Sequence, residues 1–289
     1  MSDSAAPTSQ SGGISDLPGI EITTDQGAHY GVVDHGAHTW AWQPAGERPV
    51  LWLSAATEPS DGKPIRGGVP VIFPWFANGR SGDQQPAHGP VRTAAWERDE
   101  VVDDLANGGP LTVRHRWTGA LPQPADVSMT VRFSQDELRL TMTVTNTGES
   151  EFTFEQALHT YLAVSDIRQV VVRGLDGVDY LDRAKHAPRL ENVQVGDVTF
   201  TAETDRVYLS ENTVQVVDPG WQRTLEVSKQ GSSDTVVWNP WVDKAAAMPD
   251  FGDDEWPGMV CIEAANVLDH AVTLPAGQTH DLVQVIALV

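Results

Sequence analysis

Residues 126–146 read DVSMTVRFSQDELRLTMTVTN, two runs of alternating apolar and polar side chains joined by a short polar link. Successive side chains of a strand point to opposite faces, so the apolar residues of the second run share one face: Leu138, Leu140, Met142 and Val144. The link SQDE is short enough for the two runs to pair as an antiparallel hairpin. The stretch therefore predicts two neighbouring strands with one buried face.

Strand-like runs of the same kind fill much of the remaining chain. They lie at residues 39–44, 50–55, 111–117, 152–158, 168–174, 212–218, 224–229, 235–240, 258–265 and 281–289. Turn-forming clusters such as NGG, NTGES and DPG separate them, and the best helix candidate is DKAAAM at 243–248. Many short strands at close spacing predict an all-β antiparallel sandwich or barrel, which we expect to form a single domain over residues 19–289.

The composition limits the partners and surroundings that we expect. The formal net charge of −21 disfavours nucleic acid and anionic membranes as partners, because both would be repelled. No apolar run approaches the roughly 20 residues of a membrane-spanning helix. Residues 1–18 lack the basic start and apolar centre of a signal peptide, and we expect a disordered lead-in there. The single cysteine, Cys261, predicts a cytoplasmic protein without disulfides.

The stretch 66–92, RGGVPVIFPWFANGRSGDQQPAHGPVR, departs from this acidic character. It holds Arg66, Arg80 and Arg92 against one acid, Asp83, among prolines, glycines and aromatic residues. Guanidinium groups bind phosphate or carboxylate through paired hydrogen bonds, and aromatic faces suit a sugar-like body. The segment is therefore either a pocket for a small anion or a structured loop with solvated arginines.

Glu263 and His159 are candidate acid–base groups. Alternation puts Glu263 on one strand face with three apolar side chains: Met259, Cys261 and Ala265. Burial there would raise the pKa of the carboxyl group, so Glu263 is either a general base or a structural residue bonded to an arginine or to backbone amides. His159 is either a structural histidine or a proton donor, and the second role requires it to face the same pocket as Glu263.

Other chemistries have weaker support. His88, His159 and Glu263 are the types of residue that ligate metals, but no closely spaced histidine pair accompanies them, and we expect no metal. Three of the 10 tryptophans are candidates for stacking on a sugar, with core packing as the alternative: Trp75, Trp238 and Trp241.

Six segments together resemble a known family. In chain order they are IRGGVPVIFPWFANG (65–79), PAHGPVRTAAWE (86–97), LHTYLAVSDI (158–167), TDRVYL (204–209), VVWNPW (236–241) and CIEAANV (261–267). In this order they resemble the glucose-6-phosphate 1-epimerases, also called hexose-6-phosphate mutarotases. The resemblance implies an all-β, galactose-mutarotase-like antiparallel β supersandwich with its site in a cleft on one sheet face. It also implies an isomerase of carbohydrate metabolism that interconverts the α and β anomers of an aldohexose 6-phosphate, glucose 6-phosphate foremost, without a metal or organic cofactor.

The resemblance also assigns roles to individual residues. His159 matches the family's general acid and Glu263 its general base. Arg66 and Arg92 match arginines that contact the phosphorylated sugar, and His88 and Asp205 match further positions near it. With Trp238, a candidate for stacking on the sugar, these are the expected substrate-binding residues. We expect a monomer that binds a small sugar phosphate.

Two positions depart from the family pattern. Pro90 stands where the family usually has an aromatic residue, and Ala87 stands where some members have a polar one, so the preferred hexose stays open. Two alternative functions also remain. One is an aldose 1-epimerase acting on unphosphorylated hexose, which the arginines disfavour. The other is a non-catalytic carbohydrate-binding β sandwich, which needs no opposed histidine and glutamate.

Overall fold

The computed structural model describes Ile14 and residues 17–187 and 190–289. Most of the predicted lead-in, residues 1–13, 15 and 16, lies outside the described residues. No helix among those described is long and apolar enough to cross a membrane.

The described chain consists mainly of short strands. In chain order they are β1 (Gly19–Thr23), β2 (His29–Val33), β3 (His38–Gln43), β4 (Val71–Ile72), β5 (Glu97–Asp103), β6 (Leu111–Arg116), β7 (Ala125–Phe133), β8 (Glu137–Asn146), β9 (Phe152–Phe154), β10 (Gln156–Leu158), β11 (Tyr161–Ala163), β12 (Val171–Arg173), β13 (Asp179–Asp182), β14 (Glu191–Val193), β15 (Thr204–Tyr208), β16 (Val214–Asp218), β17 (Arg223–Gln230), β18 (Asp234–Asn239), β19 (Met259–Asn266), β20 (Val272–Leu274) and β21 (Thr279–Leu288). The helix α1 (Trp241–Ala246) and short 3₁₀ turns, one of them at Val91–Thr93, complete the described elements.

Two large antiparallel sheets form the body of the fold. The first sheet has the order β14-β13-β15-β18-β19-β10-β4, and β11 also pairs with β19. The second sheet has the order β12-β16-β17-β21-β8-β7-β6-β5. Smaller sheets are formed by β1-β2-β3 and by β20-β9. The predicted all-β class is confirmed.

Strands β7 and β8 form the hairpin predicted at residues 126–146. Its strands pair from Ala125 opposite Asn146 to Phe133 opposite Leu138, and the SQDE link closes them. The alternating apolar side chains of both strands lie in the main hydrophobic core. This prediction is confirmed, because strand alternation is a local property that burial of one face enforces.

Strand β19 lies inside the first sheet and is buried along its whole length. Val260, Ile262 and Ala264 pack into the main core. Met259 and Cys261, which alternate with them, lie in a separate apolar cluster on the opposite face. The first sheet therefore has one face on the core and another face available for a site.

Two local predictions differ from the structure. The predicted helix begins earlier, at Trp241, because the side-chain carbonyl of Asn239 accepts a hydrogen bond from the Trp241 N–H at 2.9 Å. The strand predicted at 50–55 is wrong. The backbone of Trp52 donates to Tyr161 and accepts from Gly68, so its hydrogen bonds go to two partners and form isolated bridges instead of a ladder.

Candidate active site

A row of directly opposed residues crosses the first sheet. Tyr161 lies opposite Cys261, Cys261 opposite Trp238, and Trp238 opposite Asp205. Opposed residues of antiparallel strands project from the same face, so these four side chains, which we call the site row, share one face. Glu263 lies two residues beyond Cys261 on β19 and projects from that face as well. Strand register thus brings segments that are distant in sequence to one surface.

His159 lies in the break between β10 and β11. Its backbone N–H donates to the carbonyl of Pro70 at 3.0 Å, and its ring lies parallel to that of Tyr161, with centroids 4.8 Å apart. Its Nε2 lies 3.4 Å from Oε1 of Glu263. His159 is 9% exposed and Glu263 only 1%. The structure therefore brings the imidazole and the carboxyl group face to face.

Burial controls the protonation of this pair. Burial, with smaller contributions from the charges of His88, Arg66 and Arg92, lowers the pKa of His159 well below its ordinary value. Burial and the nearby Asp205 raise the pKa of Glu263 well above its ordinary value. A neutral imidazole beside a neutral carboxyl group is therefore favoured in the free protein.

Arg66 is already engaged by protein groups. Its Nε and Nη2 donate to the carboxylate of Asp250 at 3.1–3.2 Å, and its Nη1 donates to the hydroxyl of Tyr161 at 2.9 Å. Burial lowers the pKa of Arg66, but Tyr161 and Asp250 outweigh it and raise the pKa overall. Most of the binding capacity of this guanidinium is thus used inside the protein.

Arg92 is differently placed. It lies in the 3₁₀ turn Val91–Thr93, which follows Pro90, and its Nε is buried without a hydrogen-bond partner among the described residues. Burial lowers the pKa of Arg92 to about 10, with Tyr161 and Asp250 acting in the opposite direction and Arg66 adding to the decrease. At neutral pH it therefore remains a cation.

His88 is held as a hydrogen-bond donor toward the site. The backbone N–H of Ala77 donates to its Nδ1 at 3.2 Å, so the neutral ring carries its proton on Nε2. Burial, followed by the charges of Arg92, Arg66 and Arg183, lowers the pKa of His88 to about 3. Its ring centroid lies 6.1 Å from that of His159.

Asp205 and Trp238 close another side of the site. The Trp238 ring stands nearly perpendicular to that of His159, with centroids 6.0 Å apart. Asp205 Oδ2 lies 3.5 Å from the ammonium of Lys244, which also contacts Glu203 at 2.7 Å. Asp205 therefore shares its cation with a second carboxylate.

Three candidates from the sequence lie outside the site: Arg80, Trp75 and Trp241. Arg80 is exposed, lies 3.9 Å from Asp269, and lines a separate cavity together with Trp75. Trp241 packs on Trp256, with ring centroids 4.3 Å apart. Within the described part of the chain, no group of three or more His, Cys, Asp or Glu side chains is arranged to hold a metal ion.

Sequence reasoning did not single out three residues of this surface. The ring of Tyr161 stacks on that of His159, and its hydroxyl accepts a hydrogen bond from Arg66. Because Tyr161 lies two residues after His159, strand alternation would have predicted that the two side chains share a face. Asp250 and Lys244 follow β18 in a region with no strand periodicity, so no local pattern indicates their contacts with Arg66 and Asp205.

Known proteins match the chain over nearly its whole length. Residues 18–287 match the sequence model of the family described as aldose 1-epimerase. The chain belongs to the aldose 1-epimerase family. This family member is 36% identical over 249 residues to a candidate glucose-6-phosphate 1-epimerase of Escherichia coli K12, covering 81% of this chain and 82% of that protein. It is 33% identical over 266 residues to one of Cenchrus ciliaris, covering 84% of this chain and 76% of that protein.

A solved structure agrees with this assignment. The crystal structure of a candidate mutarotase from Salmonella typhimurium matches with a TM-score of 0.84 and 28% sequence identity, covering 95% of this chain and 91% of that one. The family resemblance and the mutarotase-like β sandwich predicted from the sequence are both confirmed. The protein is thus an isomerase of the epimerase, or mutarotase, type.

Proposed function

We propose that this epimerase interconverts the α and β anomers of an aldohexose 6-phosphate, with glucose 6-phosphate as the preferred substrate. The observation that carries the proposal is the buried pair of His159 and Glu263, 3.4 Å apart, with the cation of Arg92 near enough to lower the pKa of His159. The pair supports mutarotation of any aldohexose, and a guanidinium without a carboxylate partner supports an anionic substituent on it. The names of the E. coli and C. ciliaris relatives support the same substrate.

The reaction needs one proton removed and one delivered. We assign removal from the anomeric hydroxyl to Glu263, and delivery to the ring oxygen to His159. As the bond between C1 and the ring oxygen breaks, the anomeric oxygen becomes a carbonyl. Rotation about the C1–C2 bond and reclosure with the two roles reversed give the other anomer. Each positioned acid or base typically contributes about 10²–10⁴ in rate.

The phosphate of the substrate favours the reactive protonation state. In the free protein, the charges of Arg66 and Arg92 help to lower the pKa of His159. A phosphate monoester carries a charge of about −1.5 to −2 at pH 7 and offsets those cations when it is bound beside them. Offsetting them raises the pKa of His159, so the imidazole is protonated more readily and can serve as the acid, while Glu263 in its ionised form serves as the base.

The surrounding residues orient the sugar in this proposal. The Nε2–H of His88 donates to the ring oxygen or a hydroxyl, Asp205 accepts from a hydroxyl, and Trp238 offers an apolar surface. Arg92 binds the phosphate. Arg66 adds charge beside it, reduced by its pairing with Asp250.

We propose that residues 19–289 act as a monomer in the cytoplasm, on a small sugar phosphate, without a metal, an organic cofactor or a nucleic-acid partner. The net charge of −21 disfavours a nucleic-acid partner, and a single, buried cysteine, Cys261, is typical of a protein of the reducing cytoplasm.

Anomer exchange measured by proton NMR tests the proposal. Saturation transfer between the two anomeric signals of glucose 6-phosphate is expected to increase when the protein is added. A sample without protein supplies the spontaneous rate. Glu263→Gln and His159→Ala should each reduce the protein-dependent rate by about 10²–10⁴, because each removes one proton-transfer group.

Matched controls come from the second sheet. Glu226→Gln on β17 and His280→Ala on β21 remove the same groups away from the site and should leave the rate unchanged. Near-normal exchange in a folded Glu263 or His159 variant would contradict the assigned roles. No acceleration by the native protein would favour the carbohydrate-binding sandwich. Equal acceleration for free hexose would favour an aldose 1-epimerase without phosphate selectivity.

A further inference from the structure

Most arginines of this acidic chain are neutralised locally. Nine have a carboxylate oxygen 2.7–3.9 Å away: Arg66, Arg80, Arg98, Arg114, Arg116, Arg139, Arg168, Arg173 and Arg206. Arg48 and Arg223 instead lie over the ring of Trp221, and Arg132 lies on β7 of the second sheet. Arg92 and Arg183 also lack an ion pair, and of these five described arginines they are the two whose charges act on the histidines of the site.

The sheet register places Arg183 on the site face. Strand β13 ends at Asp182, which lies opposite Arg206 of β15. The next backbone N–H, that of Arg183, donates to the carbonyl of Asp205 at 2.7 Å, so Arg183 continues the pairing and lies beside Asp205. Because opposed residues share a face, Arg183 extends the site row by one strand.

The side chain of Arg183 reaches toward the catalytic pair. Its guanidinium carbon lies 5.9 Å from the ring centre of Phe76. The Phe76 ring meets His88 edge-on, with centroids 4.9 Å apart, and His88 lies 6.1 Å from His159. Arg183 is also among the charges that lower the pKa of His88, after burial, Arg92 and Arg66. Arg183 is solvent-exposed, so a ligand can approach it from the solvent.

The charge of the whole molecule opposes the binding of an anion. With a formal net charge of −21, the protein repels an incoming dianion at long range. Arg66 offers little compensation, because Asp250 holds its guanidinium through two of its nitrogens. Two arginines without carboxylate partners match the charge of a phosphate monoester, which is close to −2 at pH 7.

Building on the proposed function, we propose that Arg183 binds the phosphate of the substrate together with Arg92 and so selects phosphorylated over free hexose. Arg92 is the buried, fixed contact, and Arg183 is the exposed contact at the edge of the sheet. The forked geometry of guanidinium allows both to bind phosphate oxygens in pairs.

Kinetics of Arg183→Gln test this inference. Initial rates of anomer interconversion are measured over a range of concentrations for glucose 6-phosphate and for glucose. We expect KM for glucose 6-phosphate to rise about 10- to 100-fold, which corresponds to the loss of a hydrogen-bonded contact to a charged group. The kcat for glucose 6-phosphate and KM for glucose should stay unchanged. Arg183→Lys should recover part of the loss, because lysine keeps the charge but not the forked contact.

Arg132→Gln is the matched control, since it removes the same charge from an exposed position on the second sheet. An equal rise of KM for both sugars, or no rise for either, would overturn the role of Arg183. A failure of the proposed function is distinguishable, because the native protein would then show no preference for glucose 6-phosphate over glucose.

Discussion

The carboxyl group of Glu263 occupies a position that costs stability. Its neighbours on the same face of β19 are Cys261 and Ala265, and its Oε2 has no hydrogen-bond partner among the described residues. His159 Nδ1 and Arg92 Nε are unpartnered in the same way. Each buried polar atom without a partner costs about 1–3 kcal/mol. A cluster of such atoms is the expected result of holding groups ready for a substrate at the expense of stability.

Replacing Glu263 by Gln should therefore stabilise the protein, and more so at pH 8 than at pH 5. The pKa of the native carboxyl group is raised, while the unfolded one ionises near 4.5. The protonated Glu263 carboxyl group therefore contributes its full stability at pH values below its pKa in the unfolded chain. As the pH rises from there toward its pKa in the folded protein, the free energy of unfolding falls by about 1.4 kcal/mol per pH unit. An amide does not titrate in this range. Calorimetric Tm values of both proteins at the two pH values measure the difference, and a constant difference would mean that native Glu263 is already ionised at pH 5.

The segment 66–92 carries several residues of the site, and a close backbone contact inside it fixes where some of them lie. It holds Arg66 at one end and His88 and Arg92 at the other. Between the last two, Gly89 has a φ of +78°, and a Cβ there would overlap the carbonyl oxygen of Phe73. The close approach of the two backbone segments thus sets where His88 and Arg92 lie. Glycine is required because any side chain would force the segments apart.

Gly89→Ala should lower both Tm and anomer exchange, the latter by about tenfold or more for a displacement on the order of 1 Å. Gly82→Ala is the control, because Gly82 lies in the same segment with a φ of +77° and has nothing within 4 Å of its Cβ position. Both variants carry the left-handed strain of about 1–2 kcal/mol, but only the first adds the overlap with Phe73. Equal losses of activity in the two would show that backbone strain, and not this contact, controls the site.

The two large sheets are interwoven along the chain. The first sheet takes its strands from residue 71 to residue 266 and the second from residue 97 to residue 288, so neither can be completed by a continuous half of the sequence. Side chains of both, such as Leu140 of β8 and Ile262 of β19, lie in one hydrophobic core. This arrangement supports our proposal that residues 19–289 form a single domain.

A single domain is expected to unfold in one step. Equilibrium unfolding in urea, followed by tryptophan fluorescence and by far-ultraviolet circular dichroism, should give coincident transitions. The 10 tryptophans report on tertiary packing and circular dichroism reports on the strands. Two separated midpoints would indicate that the sheets, or parts of them, unfold independently and would contradict the single-domain proposal.

Strand alternation and the order of the motifs were sufficient to predict the fold class and the central residues of the site. Alternation predicted the β7–β8 hairpin and the shared face of Glu263 and Cys261, because the direction of a strand side chain depends only on its neighbours. Motif resemblance selected His159 and Glu263, and the structure brings them within 3.4 Å. The strand predicted at 50–55 was wrong, because local alternation does not specify whether a segment finds one partner strand or two.

Contacts between distant segments were beyond such patterns. The pairing of Arg66 with Asp250 joins residues 184 positions apart, and neither lies in a periodic run that indicates the other. The position of Arg183 on the face of the site follows from the register of β13 against β15, which the sequence does not specify. The sequence alone therefore determined which residue types are present and to which face of its strand each side chain points. Which arginines are neutralised and which stay available for an anion depended on the fold, because ion pairing is governed by distances in space.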